Sequence, residues 1–149
     1  MTHKKTAVFD FDGVLMEYHG WNGGKLGEPN PMGLELVRRM KDLGFRIVVQ
    51  TCRTHLRWGE SAMRQYGEIV LWLRDYGVPV DEIELQGKAI GDVYFDDRAV
   101  HIPKNFKDWE DTVYLHALPE DATERDLLEY IVEEAYMIAY KSSKDGVQK

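Results

Sequence analysis

The stretch Val8-Phe9-Asp10-Phe11-Asp12-Gly13-Val14-Leu15 limits what this chain can fold into more than any other. An apolar run ends in two aspartates, one residue apart, and then a glycine. Read as a strand, the run alternates its side chains and puts Asp10 and Asp12 on the same side. Neighbouring carboxylates repel, and burial raises the cost. Such a pair needs a cation between its members or a proton on one of them. Gly13 accepts positive φ and lets the backbone turn at once. Two readings stay open at this point. One is a strand that delivers two acids to a metal site at its carboxyl end. The other is a strand closed by an ordinary Asp-Gly turn.

The rest of the chain supplies more strands of the same kind. Thr6 to Leu15 is the first strand and its exit. Met16 to Asn30 reads as a flexible surface loop with Gly20, Gly23, Gly24 and Gly27. It lacks the spacing of the standard glycine-rich phosphate motifs, but its place after the acidic strand would let it bring Trp21 or His19 over a substrate. Asn30 caps a helix with Pro31 at its first position, an apolar stripe of Leu34, Val37 and Met40, and Gly44 at its end. Phe45 to Gln50 is a strand whose Ile47-Val48-Val49 core suits burial on both faces. Thr51-Cys52-Arg53-Thr54 follows at its carboxyl end. A second helix runs from about Gly59 to Tyr76, with Ala62, Met63, Tyr66, Ile69, Val70 and Leu73 expected inside. Ile83 to Leu85 is a short strand and Gln86-Gly87-Lys88 follows it. Val93-Tyr94-Phe95 is a strand that again ends in acids, Asp96-Asp97. Ala99 to Ile102 reads as a short further segment. Phe106 and Trp109 anchor a turn, and Thr112 to His116 reads as another strand. Thr123 caps a last helix to about Tyr140 with Leu127, Leu128, Ile131, Ala135 and Ile138 on one face, and the tail from Lys141 is polar. Strands alternating with helices predict an α/β domain, a three-layer α/β/α sandwich with a Rossmann-like, mostly parallel sheet. Ligands of such sheets bind outside the carboxyl ends of the strands.

Composition narrows the function classes. A chain of 149 residues that is 44% apolar and 30% charged suits a single globular domain over residues 1–149. A net charge of -7 argues against broad binding to a nucleic-acid backbone and leaves room for a local basic pocket. Cys52 is the only cysteine, so no internal disulfide forms. It reads as a small buried side chain rather than a nucleophile. No apolar run approaches the ~20 residues that span a bilayer, and no signal-peptide core follows Met1-Thr2-His3-Lys4-Lys5. The expected location is the cytoplasm, away from membranes.

The polar clusters follow one order along the chain, and that order resembles the haloacid dehalogenase-like superfamily, whose members are mostly magnesium-dependent phosphatases. Its first motif matches Phe9-Asp10-Phe11-Asp12-Gly13-Val14, and its second, a strand ending in Thr or Ser, matches Val48-Val49-Gln50-Thr51. The third is a lone lysine, here Lys88, and the fourth, a strand ending in paired acids, matches Val93-Tyr94-Phe95-Asp96-Asp97. The motifs span Val8 to Arg98. The first and fourth together carry the specificity.

The resemblance implies a phosphate-monoester hydrolase. Asp10 would attack phosphorus to form an aspartyl-phosphate, and Asp12 would protonate the leaving alcohol and then activate water. Mg²⁺ would be held by Asp10 and Asp96, by the Asp12 backbone carbonyl, and by Asp97 directly or through water. Thr51 would hydrogen-bond a phosphoryl oxygen and Lys88 would neutralise the transferring group. Asp92 competes as a metal ligand but precedes its strand. Arg53, Cys52 and His55 lie beside Thr51 as candidates for substrate contact. His101 and His116 read as structural.

The gaps from Asp12 to Thr51 and from Thr51 to Lys88 are too short for the cap domain that larger members insert, so a capless member is expected. An open site of this kind suits a sugar phosphate, a nucleotide or a bulky phosphorylated end, or is closed by a second copy in a dimer or tetramer. Tyr18, Trp21 and Trp58 lie on loops near the expected entrance, with two readings open: they stack on a sugar or base, or they simply pack. Three alternatives share these residues: a phosphotransferase or mutase on the same site, a receiver-like module, and a non-catalytic phosphate- or metal-binding module. A receiver would carry its paired acids early and its accepting aspartate in mid-chain, the reverse of the order here.

Overall fold

The computed structural model describes residues 4–103, 114 and 116–144, with side chains along the last helix as far as residue 140. The chain divides into two compact units, Met1–Asp97 and Arg98–Lys149. The first holds strands β1 (Thr6–Asp10), β2 (Arg46–Gln50), β3 (Glu82–Glu84) and β4 (Val93–Phe95), and helices α1 (Pro31–Asp42) and α2 (Glu60–Asp75). The second holds helix α3 (Glu124–Lys144).

The four strands form one parallel sheet in the order β3-β2-β1-β4. This is the α/β, Rossmann-like arrangement expected from the alternation of elements. β1 sits between two neighbours, and Thr6-Ala7-Val8-Phe9 are all buried, as a strand covered on both faces requires. The chain steps from β1 to β2 to β3 in one direction, so right-handed crossovers put α1 and α2 on the same face. There Ala7, Phe9, Phe11, Ile47 and Val49 meet Leu34 and Val37 of α1 and Ile69, Trp72 and Leu73 of α2. Each large side chain in this layer contributes roughly 1.5–3 kcal/mol by leaving water. On the opposite face Val8 and Val48 pack with Ala89.

α1 starts and stops where its sequence dictates. The Asn30 side chain accepts a hydrogen bond from the Met32 N–H at 3.2 Å, Pro31 opens the helix, and Gly44 follows its end with φ +90°. Asn30 also ties the helix to the turn after β1. Its side-chain amide donates to the Val14 carbonyl at 3.0 Å and its backbone N–H donates to Leu15 at 2.7 Å. Gly33 lies directly against the Val14 carbonyl, where a Cβ would collide with backbone.

Three expectations change. In α2 the inward residues are Ala62, Gln65, Ile69, Trp72 and Leu73, while Met63 is 69% exposed and Val70 40% exposed. The apolar Met63 and Val70 suggested a stripe rotated away from the true one, because a polar residue, Gln65, occupies an inward position. Residues 99–102 form no strand. Of the strand expected over 112–116, only Tyr114 and His116 are described, both in turns. Phe106, Trp109 and the end of the polar tail lie outside the described residues.

In the second unit, Thr123 and Asp126 cap α3 reciprocally. The Thr123 N–H donates to the Asp126 carboxylate at 2.7 Å, and the Asp126 N–H donates to the Thr123 hydroxyl at 3.3 Å. Tyr114 is buried with Leu127, stacks edge-on against Tyr130 with centroids 5.6 Å apart, and donates its hydroxyl to the His101 carbonyl. Leu127 and, in part, Ile131 face this cluster, whereas Leu128 and Ala135 are exposed.

Gly33→Ala tests how tightly α1 is seated on the turn after β1. The added methyl must displace backbone, so urea denaturation should show a loss of about 1–3 kcal/mol, the cost of overpacking.

Candidate active site

The site is built at the carboxyl ends of β1, β2 and β4. β1 and β4 pair as Ala7↔Val93, Val8↔Tyr94 and Phe9↔Phe95. The Phe9 and Phe95 rings stack with centroids 4.4 Å apart, 5° from parallel. That register carries Asp10 level with Asp96 as the two strands end. One carboxylate oxygen each from Asp10, Asp96 and Asp97 lies within 4.8 Å of the others. Asp10 is partly buried and the other two are exposed.

Asp10 carries the electrostatic cost of this arrangement. Its carboxyl is pushed up from 3.8 to about 8, chiefly by burial, then by the Asp96, Asp97 and Asp12 carboxylates, against the opposing Phe11 N–H. That N–H donates to Asp10 Oδ1 at 2.9 Å. The cluster is therefore poised to take up a proton or a cation near neutral pH. Its donors are all hard oxygens from carboxylates, a set that fits Mg²⁺.

Asp12 parts company with Asp10. β1 ends at Asp10, and the chain turns, with the N–H groups of Leu15 and Met16 both donating to the Phe11 carbonyl at 3.1 and 3.0 Å. The same-side alternation ends with the strand, so the two acids share an end of the sheet but not their partners. The Arg53 Nε–H donates to both Asp12 oxygens at 2.8 Å. Gly13, at φ +81°, turns under Asp97, and any Cβ there would run into the Asp97 carboxylate.

Thr51 stands at the carboxyl end of β2, 8% exposed, and its hydroxyl oxygen accepts from the Arg53 N–H at 3.2 Å. Among the described residues its own hydroxyl proton has no acceptor. Cys52 is exposed rather than buried, because it opens a 3₁₀ turn, Cys52–Thr54, that points it outward. Arg53 is 3% exposed and does not face solvent as a surface substrate contact would. His55 is exposed and its Nδ1 accepts from the Arg57 N–H at 3.2 Å. Lys88 meets Tyr94 rather than forming an ion pair with the acids. Its Nζ lies 5.0 Å from the centre of the Tyr94 ring, on an exposed irregular connection, and it forms no ion pair among the described residues. Asp92 is at the opposite end of β1, where it accepts from the Thr6 N–H at 2.8 Å. That position removes it as a rival to Asp96.

The glycine-rich loop is pinned rather than free. The Glu17 N–H donates to Glu28 at 2.8 Å, the Trp72 indole donates to Gly27 at 2.9 Å, and Arg53 and Gln65 both donate to the Gly24 carbonyl. Trp21 lies over the Arg53 guanidinium at 4.9 Å, and Tyr18 packs against the core. His19 is exposed beside Glu17. Trp58 is 50% exposed and bonds the Cys52 carbonyl at 3.0 Å. Gln65 was not anticipated at the site. The available signal was its place in the 62, 65, 69, 72, 73 series, the one polar member of a helical stripe. Among the described residues, the gaps before Thr51 and before Lys88 hold the pinned loop with one short 3₁₀ turn, α1, β2, two further 3₁₀ turns, α2 and β3.

No family model and no curated protein matches this chain. Among solved structures, it is similar to a conserved protein of Bacteroides thetaiotaomicron at 25% identity and a TM-score of 0.50, over 84% of this chain and 98% of that one, which supports the fold. It is also similar to a structural-genomics target of Vibrio cholerae at 33% identity and a TM-score of 0.47, over 64% of this chain and 82% of that one. No helix among the described residues is long and apolar enough to cross a membrane.

Two outcomes test the geometry. Because the folded state raises Asp10 from 3.8 to about 8, the folded protein binds a proton there that the unfolded chain releases. The resulting stability is complete below 3.8 and is lost as pH rises through about 8. In chelator-treated protein, thermal melts should show Asp10→Asn losing less stability than wild type across that window, and Mg²⁺ should raise the wild-type midpoint most at its alkaline end. Gly13→Ala should weaken Mg²⁺ binding in isothermal titration by at least ~10-fold, since it displaces Asp97, while circular dichroism stays α/β.

Proposed function

We propose that this chain is a magnesium-dependent phosphohydrolase that cleaves a phosphate monoester through an aspartyl-phosphate, similar to capless haloacid dehalogenase-like phosphatases. The observation that carries the reading is the convergence of Asp10, Asp96 and Asp97 at adjacent strand ends, in a motif order that runs from Asp10 to Asp97. Asp10, Asp96 and Asp97 would hold Mg²⁺ through side chains, with the Asp12 carbonyl as a further ligand. Bound Mg²⁺ would offset the charge of the phosphoryl group and of the acids around it.

The chain's own groups then divide the work. An Asp10 oxygen attacks phosphorus, the bond from phosphorus to the leaving oxygen breaks, and Asp12 gives that oxygen a proton. Water next attacks the phosphorus of the acyl phosphate and passes its proton to Asp12. The bond from phosphorus to Asp10 breaks, and inorganic phosphate leaves with both aspartates restored. The Thr51 hydroxyl donates to a phosphoryl oxygen. Lys88, whose side chain lies on the Tyr94 ring, is the candidate for neutralising that group. The substrate is a phosphorylated small molecule such as a sugar phosphate or nucleotide, or a bulky phosphorylated end. A phosphotransferase or mutase would share every step up to the acyl phosphate and pass it to an alcohol instead of water.

The test is release of inorganic phosphate from an aryl phosphate and from a panel of sugar phosphates, nucleotides and phosphorylated oligonucleotides. Release should require Mg²⁺, stop with chelator, and fall by at least ~10³-fold in Asp10→Asn. Activity near wild type in Asp10→Asn would overturn the nucleophile, and no release from any member of the panel would overturn the hydrolase.

A further inference from the structure

Arg53 is enclosed on every side by groups that orient it. Its Nε–H donates to both Asp12 oxygens at 2.8 Å. Its Nη1 donates to Gln65 Oε1 at 2.9 Å and to the Gly24 carbonyl at 3.2 Å. Gln65 closes the ring by donating its own amide to that carbonyl at 3.0 Å. The Trp21 and Tyr18 rings lie 4.9 and 5.8 Å from the guanidinium carbon. Gln65 is 1% exposed, and Gly24, at φ +81°, leaves no room for a Cβ between Gln65 and Trp21.

This arrangement is a poor device for stability. Arg53 Nη2 is buried and has no hydrogen-bond partner among the described residues. A buried guanidinium with an unsatisfied nitrogen costs free energy that an apolar side chain of similar volume would not. What the arrangement does supply is direction. A carboxylate two residues from a cluster of metal ligands is drawn toward any divalent cation held there. Arg53 holds the Asp12 carboxylate outside the Asp10-Asp96-Asp97 group, and Gln65 and the Gly24 carbonyl hold Arg53.

We propose that Arg53 and Gln65 are positioning residues for the proton-transfer role of Asp12, keeping its carboxylate on the leaving-group side of the site and out of metal coordination. This rests on the phosphohydrolase reading above. The glycine-rich loop takes part through Gly24, so the loop that lies beside the site also sets the aim of its acid.

Leaving-group dependence separates this role from a merely structural one. A simple alkyl phosphate needs a proton delivered to its departing oxygen, whereas dinitrophenyl phosphate leaves without one. With the Mg²⁺-loaded full chain, Arg53→Lys should lower kcat/KM for the alkyl phosphate by ~10²-fold and for dinitrophenyl phosphate by less than ~5-fold, since misplacing a catalytic group by an ångström costs about that much. Lysine keeps the charge but lacks the planar fork. Gln65→Met, which touches no reacting group, should show the same selectivity with a loss of ~10-fold on the alkyl phosphate. Equal losses on the two substrates would overturn the inference. In metal-free protein, nuclear magnetic resonance should find the Arg53 Nε–H slow to exchange, and fast in Asp12→Ala. Fast exchange in the wild type would overturn the inference even if the variants did not fold. Wild-type protein that hydrolyses neither substrate overturns the phosphohydrolase reading itself, a failure distinct from equal losses.

Discussion

Like charges at the ends of adjacent parallel strands are the constraint around which this molecule is arranged. β1 and β4 are locked in register by stacked phenylalanines, Phe9 on Phe95, and that register leaves Asp10, Asp96 and Asp97 together where the strands stop. The Phe9–Phe95 stack and the ladders to β2 and β4 hold that register against the repulsion. The surroundings do not relieve it: burial and three neighbouring carboxylates push Asp10 up to about 8. A protein that carries such a cluster at its strand ends, rather than spreading the acids over its surface, is poised to take up a proton or a cation there.

The turn after β1 then decides which acid does what. Gly13 brings the backbone close beneath Asp97, and the Phe11 carbonyl gathers the N–H groups that follow. Asn30 and Gly33 seat the start of α1 against the same turn. Asp10 remains among its own kind while Asp12 is turned toward Arg53. Two aspartates of one motif thus meet opposite environments, one crowded by carboxylates and one paired with a guanidinium. Such a divergence is how a single motif sustains two chemical roles in the proposed reaction.

Much of the fold was legible in the chain because its signals are local. The Asn30-Pro31 start and Gly44 stop of α1, the doubly buried core of β2 and the acids after β1 and β4 are each set by neighbours in sequence. The face of α2 was not, because helical spacing alone does not say which of two overlapping stripes meets the sheet. Trp72 and Gln65 took the inward places that Met63 and Val70 were expected to hold. The glycine-rich loop read as free, since the bonds that hold it come from Arg53, Gln65 and Trp72, far along the chain.

The sequence by itself determined the alternation of strands and helices, the parallel sheet and the acids at its carboxyl edge. Those depend on period, glycine and proline placement, and the order of motifs along one chain. Only the tertiary structure decided the pairings. It put Arg53 inside, on Asp12, and exposed Cys52. It left Lys88 on the Tyr94 ring and sent Asp92 to the far end of β1. A side chain's charge is written in the sequence, but the partner that satisfies it is chosen by which elements pack together, and that choice belongs to the fold.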